Sequence, residues 1–424
     1  MTCFLYPDIG RVDEPVQLHM DGFFPFETVT VKARYIDRTE GLWTSSMTVK
    51  ADEQGKIQLK SEDQQSIQRL LSSLKPTRTS SHGTVMQRSG LDPMEIEITM
   101  LNEREETVLE RTITRLFLED HIERETVFEE GFVGTFFYPR DEKNLPGVIL
   151  LGGSEGGLYE ETASVLSSHG YAVLALAYFG EPGLSPILQN IPLETVDRAV
   201  EWLSEKSFVN HSEIATMGTS KGGELALVSA SYNEKIRLVV GEVPSSHVFQ
   251  GINRKRKGSS WSRNGEPLPF VKYSYSFSAL IESLTNQWRK EPVSLRDMYE
   301  RSLEKNKRDE AEIRVENING PILLLSSGQD QVWPSSAMCE SMMKRLSEHH
   351  FAYEKKHVQL EDAGHVLTLP YLPSVLPKDL PYELGGTEQA NAEGGRRSWE
   401  ETLCFLEKHF HPAKPKVETV MLHR

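Results

Sequence analysis

At 424 residues the chain is too long for one ordinary hydrophobic core, and two domains are expected. Its 38% hydrophobic and 26% charged residues are those of a soluble globular protein, and no apolar run approaches the ~20 residues that span a bilayer. A formal net charge of -15 argues against a nucleic-acid backbone or an anionic membrane surface as the main partner.

Residues 1 to about 120 read as mostly β. Short runs of alternating or β-branched character recur: Val16-Gln17-Leu18-His19-Met20, Thr28-Val29-Thr30-Val31-Lys32-Ala33, Glu95-Ile96-Glu97-Ile98-Thr99-Met100 and Arg111-Thr112-Ile113-Thr114-Arg115-Leu116. In the third, Ile96, Ile98 and Met100 fall on one face and Glu95, Glu97 and Thr99 on the other. Period-two alternation means sheets with one wet face, and several such strands predict a β-sandwich domain over 1–120. The polar, serine-rich stretch 61–88 is expected to be an excursion with one short helix at 65–74.

Beyond about residue 130 the character changes. Gly147-Val148-Ile149-Leu150-Leu151, Tyr171-Ala172-Val173-Leu174-Ala175-Leu176, Val239-Val240-Gly241-Glu242-Val243 and Ile322-Leu323-Leu324-Leu325-Ser326 are near-continuously apolar. Such strands are buried on both faces of a parallel sheet. Helical patterns lie between and after them at 159–169, 193–205, 224–230 and 335–348. Strand alternating with helix over 121–424 predicts a doubly wound α/β domain. The polar segment 270–316 is expected to be a helical insertion.

The opening Met1-Thr2-Cys3-Phe4-Leu5 lacks a basic n-region and an apolar h-region, and the closing Val420-Met421-Leu422-His423-Arg424 carries no Ser-Lys-Leu type address. Cys3, Cys339 and Cys404 are too few and too scattered for a disulfide framework or a zinc site. The expectation is a cytoplasmic protein with reduced thiols, no metal and no organic cofactor.

Gly218-Thr219-Ser220-Lys221-Gly222 sits between the apolar Ile214-Ala215-Thr216-Met217 and the helix-forming Glu224-Leu225-Ala226-Leu227-Val228. A G-x-S-x-G pentapeptide means little by itself. After a strand and before a helix, it forces the serine into a strained turn with its hydroxyl exposed, and it makes Ser220 a candidate nucleophile. The bland alternative is a glycine-rich turn with Ser220 as helix cap. A serine hydroxyl needs a base, and the base needs a group that holds its tautomer. Asp330, in Ser327-Gly328-Gln329-Asp330, and His365, in Glu361-Asp362-Ala363-Gly364-His365, each follow a strand and complete the order Ser, Asp, His. Asp362 and Glu361 are too close in sequence to His365 to be comfortable partners. The backbone amides expected to hold a developing oxyanion are that of Lys221 and that of Ser154 or Glu155, in Gly152-Gly153-Ser154-Glu155-Gly156-Gly157. A phosphate-cradling role for this loop is weak, because no Lys-Ser/Thr pair follows. Arg254-Lys255-Arg256-Lys257 is the densest basic run and could meet the phosphates of coenzyme A, although a solvated loop is the simpler reading.

Several further stretches resemble the acyl-coenzyme A thioesterase / bile acid-CoA:amino acid N-acyltransferase family. They include Leu151-Gly152-Gly153-Ser154-Glu155-Gly156-Gly157-Leu158, Ala175-Leu176-Ala177-Tyr178-Phe179, Ile191-Pro192-Leu193-Glu194, Gly251-Ile252-Asn253, Trp333-Pro334-Ser335, and Gly385-Gly386-Thr387 with Trp399. In the N-terminal part Asp13-Glu14-Pro15-Val16 and Gly90-Leu91-Asp92-Pro93-Met94 fit as well. The resemblance implies an N-terminal immunoglobulin-like β-sandwich, a C-terminal α/β-hydrolase domain, and Ser220, Asp330 and His365 as the triad. It implies an acyl-CoA substrate. The bile-acid conjugating members of the family carry cysteine at the nucleophile, whose thioester intermediate remains reactive toward an amine. Ser220 would form an oxygen ester, which suits hydrolysis. Thioester hydrolysis is therefore the leading expectation, with amino-acid N-acylation, hydrolysis of non-CoA esters or peptides, and a non-enzymatic binding role as rivals.

Overall fold

The computed structural model describes residues 2–59, 66–77, 86, 90–129, 131–253, 257–275, 291–374 and 380–413. The N-terminal part forms two sheets. Three antiparallel strands lie in the order Thr2–Tyr6, Gln17–Asp21, Lys56–Leu59. Six lie in the order Ile9–Arg11, Thr107–Leu116, Met94–Leu101, Thr28–Ile36, Leu42–Lys50, Lys75–Pro76. Ile96, Ile98 and Met100 are buried, as their alternation requires, and share one hydrophobic cluster with Leu18, Met20, Ile57 and Leu59 of the smaller sheet. On the wet face Arg34 and Glu97, paired in register, form an exposed ion pair at 2.7 Å. The short helix runs over Ile67–Ser72, where the Ser66 hydroxyl accepts from Arg69 N, so it is shorter than the expected 65–74. Most of the excursion around it lies outside the described residues.

The large sheet has eight strands: β1 (Ile122–Glu129), β2 (Phe132–Pro139), β3 (Leu145–Leu151), β4 (Ala172–Ala177), β5 (Val209–Thr219), β6 (Leu238–Glu242), β7 (Ile322–Ser327) and β8 (Lys355–Leu360). Their spatial order is β1-β2-β4-β3-β5-β6-β7-β8. β1 and β2 form an antiparallel hairpin, β2 runs antiparallel to β4, and every later pairing is parallel. Among the described residues six helices accompany it: α1 (Glu160–Ser167), α2 (Glu194–Ser204), α3 (Lys221–Tyr232), α4 (Arg296–Asn306), α5 (Ser335–Glu348) and α6 (Glu388–His409). Val148 and Leu150 point into the cluster that holds α1 and α6. Ile149 and Leu151 point into the one that holds α2, α3 and α5. Both faces are therefore dry, which explains the continuously apolar runs. This is the doubly wound α/β-hydrolase arrangement.

Between residues 270 and 316 the expected helical insertion reduces to α4 and two 3₁₀ turns among the described residues, with 276–290 outside them. Asp13 ties the two parts of the chain together. Its carboxylate receives His169 Nε2 at 2.6 Å, Trp399 Nε1 of α6 at 2.9 Å and Arg11 Nε at 3.0 Å. Burial works against its ionisation, but these partners hold its pKa below the usual carboxylate range.

Candidate active site

β5 ends at Thr219 and α3 begins at Lys221, so Ser220 alone makes the turn, with φ 55° and ψ -117°. A non-glycine residue there stores strain of about 1–3 kcal/mol, tolerated only when its surroundings fix it. Here Ser220 N donates to Glu242 O at 2.8 Å. A Cβ at Gly218 would collide with the backbone of Gly222, and one at Gly222 would collide with the carbonyl oxygens of Leu151 and Gly152. The flanking glycines thus permit close approach of strand, helix and the neighbouring loop. The Ser220 hydroxyl does not cap α3, which removes the bland reading. It lies 2.9 Å from His365 Nε2.

His365 sits in the loop after β8 and Asp330 in the loop after β7. His365 Nδ1 lies 3.0 and 2.9 Å from the two carboxylate oxygens of Asp330, while Asp362 is exposed. Asp330 is fully buried, and its Oδ1 also accepts the amides of Val332 at 2.9 Å and Trp333 at 3.1 Å. A carboxylate at Nδ1 keeps the proton on that nitrogen and leaves the Nε2 lone pair facing Ser220. The indole of Trp333 stands edge-on to the imidazole at 5.7 Å. His365 N donates to Leu384 O at 2.7 Å, and Gly364 N to Asn391 Oδ1 of α6 at 2.7 Å. Three groups distant in sequence are thus joined in one hydrogen-bonded line at the carboxyl ends of β5, β7 and β8.

The expected amide donors come to neighbouring strand ends. Lys221 heads α3, and the pairing of Leu151 with Gly218 sets the glycine-rich loop after β3 beside the turn. In that loop Ser154 is half-buried and Glu155 exposed, its carboxylate folded back onto the Tyr159 hydroxyl.

Two acidic residues beside the turn escaped the sequence reading. Glu224, fully buried in α3, receives Lys221 Nζ at 2.7 Å, Trp261 Nε1 at 2.8 Å and Phe249 N at 3.2 Å. Burial pushes the Lys221 ammonium down and the Glu224 carboxyl up, and their mutual attraction opposes both shifts. Glu242, at the end of β6, receives Thr219 Oγ1 at 2.6 Å and Ser398 Oγ of α6 at 2.7 Å. Burial raises its pKa as well. Val243, just beyond it, has φ 41°, an outlier for a β-branched residue, and its carbonyl accepts Trp333 Nε1 at 3.0 Å.

Of the basic run, Arg254, Lys255 and Arg256 lie outside the described residues, and Lys257 is exposed. A cavity of about 1160 Å³ opens between the N-terminal sheets and α6, lined by Arg11, Asp13, His169 and Trp399 among others. None of Ser220, Asp330 or His365 lines it, so its size carries no catalytic meaning.

Residues 191–412 match the family described as "BAAT / Acyl-CoA thioester hydrolase C terminal", and 13–129 match "Acyl-CoA thioester hydrolase/BAAT N-terminal region". Mouse (Mus musculus) acyl-coenzyme A amino acid N-acyltransferase 1 is 27% identical, over 95% of this chain and 96% of its own. Human (Homo sapiens) acyl-coenzyme A thioesterase 1 is 26% identical, over 94% of each chain. Among solved structures, acetyl xylan esterase from Paenibacillus sp. R4 superposes with a TM-score of 0.40 and 16% identity, over 77% of this chain and 87% of its own.

Proposed function

We propose, from the premise that this chain belongs to the acyl-CoA thioester hydrolase/BAAT family, that it hydrolyses acyl-CoA to free acid and CoA through a serine acyl-enzyme. The observation that carries this reading is the hydrogen-bonded line Ser220–His365–Asp330. In it, Ser220 Oγ attacks the thioester carbonyl carbon while His365 Nε2 takes its proton. Asp330 holds the Nδ1 proton and stabilises the imidazolium. The oxyanion is held by the amide of Lys221 and that of Ser154 or Glu155. Collapse expels the CoA thiolate, which takes the proton from His365. His365 then deprotonates a water that attacks the acyl-serine carbonyl; collapse breaks the bond to Ser220 Oγ, which takes the proton back from His365, and the acid leaves.

The two parts of the chain divide at about residue 120: residues 1–120 form the β unit and 121–424 the catalytic unit. The reading also places the enzyme in the cytoplasm. No helix among the described residues is long and apolar enough to cross a membrane.

Amine transfer is the second reading, favoured by the likeness to an N-acyltransferase. An oxygen-ester intermediate tips the balance to water. The test is a panel of acyl-CoAs of differing length, with and without glycine or taurine, products identified by mass. Free acid in every lane supports hydrolysis, and an amide at the acid's expense supports transfer. Replacing Ser220 with Ala should lower thiol release by at least about a thousand-fold. Undiminished release would end both readings.

A further inference from the structure

Ala175-Leu176-Ala177-Tyr178-Phe179 runs along β4 and off its end, beside the glycine-rich loop that follows β3. Tyr178 is buried, and its hydroxyl donates to the carbonyl oxygens of Gly152 at 2.7 Å and Gly153 at 3.0 Å. A Cβ at Gly156 would press on the ring of Phe179 at 3.2 Å, so the next residue walls the same loop. The Tyr178 ring meets Trp261 edge-on at 5.7 Å. Trp261 Nε1 donates to one carboxylate oxygen of Glu224, and the other oxygen receives the Lys221 ammonium. A continuous buried path therefore joins the loop after β3 to the residue after Ser220.

The geometry of a peptide unit gives this path a use. The carbonyl of Gly153 and the N–H of Ser154 belong to one rigid plane and point in opposite directions. A donor fixed on that carbonyl fixes where the N–H aims. It also polarises the unit, which makes the N–H a better donor. Burial holds the Tyr178 phenol well above its ordinary pKa, so the hydroxyl keeps its proton.

We propose that Tyr178 is a positioning residue for the oxyanion hole: by gripping the Gly152 and Gly153 carbonyls it aims the Ser154 N–H at the reacting carbonyl. Through Trp261 and Glu224 it keeps that amide in register with the amide of Lys221. This rests on the hydrolytic reading above, and it selects Ser154 over Glu155 as the second donor.

The test is Tyr178→Phe in the full chain, which removes one hydroxyl and keeps the ring. Steady-state turnover of an acyl-CoA is measured beside inhibition by two analogues. One is a trifluoromethyl ketone that adds Ser220 to form an oxyanion, the other a thioether that cannot react. The proposal expects kcat to fall about 10- to 100-fold with KM within about twofold. Ketone binding should weaken by the same factor, and thioether binding should hold. A kcat within twofold of the parent, or equal weakening of both analogues, overturns it. Should Tyr178→Phe not fold, Trp261→Phe is expected to show the same pattern at smaller amplitude, and parent-like kinetics there overturn the proposal too. Ser220→Ala is the control: full turnover in that variant sinks the hydrolytic reading itself rather than the role of Tyr178.

Discussion

In Met94–Leu101 burial alternates along the strand, whereas in β3 every residue is buried. The first strand presents one face to water and can hold charged side chains such as Glu97 along its length. The second is dry on both faces, so polar groups can reach substrate only where its sheet ends. Ser220, Asp330 and His365 all sit at such ends, and the N-terminal sheets contribute none of them. A sheet covered on both sides concentrates chemistry at its rim, and a sheet with a wet side has no such rule.

Four experiments would break or sharpen this contrast. The largest expected effect is at the rim. Asp330→Asn keeps the shape but offers His365 the wrong tautomer, and turnover should fall roughly a thousand- to ten-thousand-fold with thermal stability little changed. Parent-like turnover would mean that the line of hydrogen bonds does not act as a unit. Next, Ile98→Ala in the wet-faced sheet should cost about 2–5 kcal/mol in denaturant unfolding, because Ile98 is fully buried. The kcat of the folded protein should stay within about twofold, and a large loss would show that the N-terminal sheets shape the reaction.

A third test uses pH. His247 is buried, with Nδ1 2.9 Å from Ser246 Oγ and no partner for Nε2 among the described residues. Burial, with Lys307 and Arg345 nearby, lowers its pKa from 6.5 to about 4. The unfolded chain therefore binds the proton first. The stability His247 contributes is fully present above about pH 6.5 and is lost as pH falls toward about 4, a change of about 3 kcal/mol. His247→Asn should flatten that slope in acid-unfolding curves, and an unchanged slope would refute the assignment. The smallest effect is expected at the exposed Arg34–Glu97 pair. Glu97→Gln should shift stability by less than about 1 kcal/mol, and by still less at high salt. A larger shift would mean that the wet face matters more than its exposure suggests.

Much of this was legible in the chain. The Ser220 turn and Asp330 were findable because each follows an apolar strand, His365 because it follows the strand-like His357-Val358-Gln359-Leu360, and the order of residue types is restrictive. Glu224 was not, since Lys221 and Glu224 three apart on a helix look like a solvated pair. The one hint was the run Leu225-Ala226-Leu227-Val228, apolar all round, which marks a helix with no wet face. β1 escaped because Ile122–Glu129 is an edge strand with an exposed Phe128 and charges at Glu123, Arg124 and Glu125. α6 escaped because the consecutive glycines Gly394 and Gly395 weaken the helical pattern in its interior. In the fold they serve contact: a Cβ at Gly394 would crowd Ala363, and one at Gly395 would strike the backbone of Thr368.

That glycine pair lets α6 lie directly on the loop that carries His365, and Asn391 of the same helix anchors Gly364. Synthesis runs from the amino end, so a nascent chain holds its serine and carboxylate well before the helix that seats the imidazole has emerged from the ribosome. The hydrogen-bonded line of Ser220, His365 and Asp330 is therefore completed only in a chain that extends through α6.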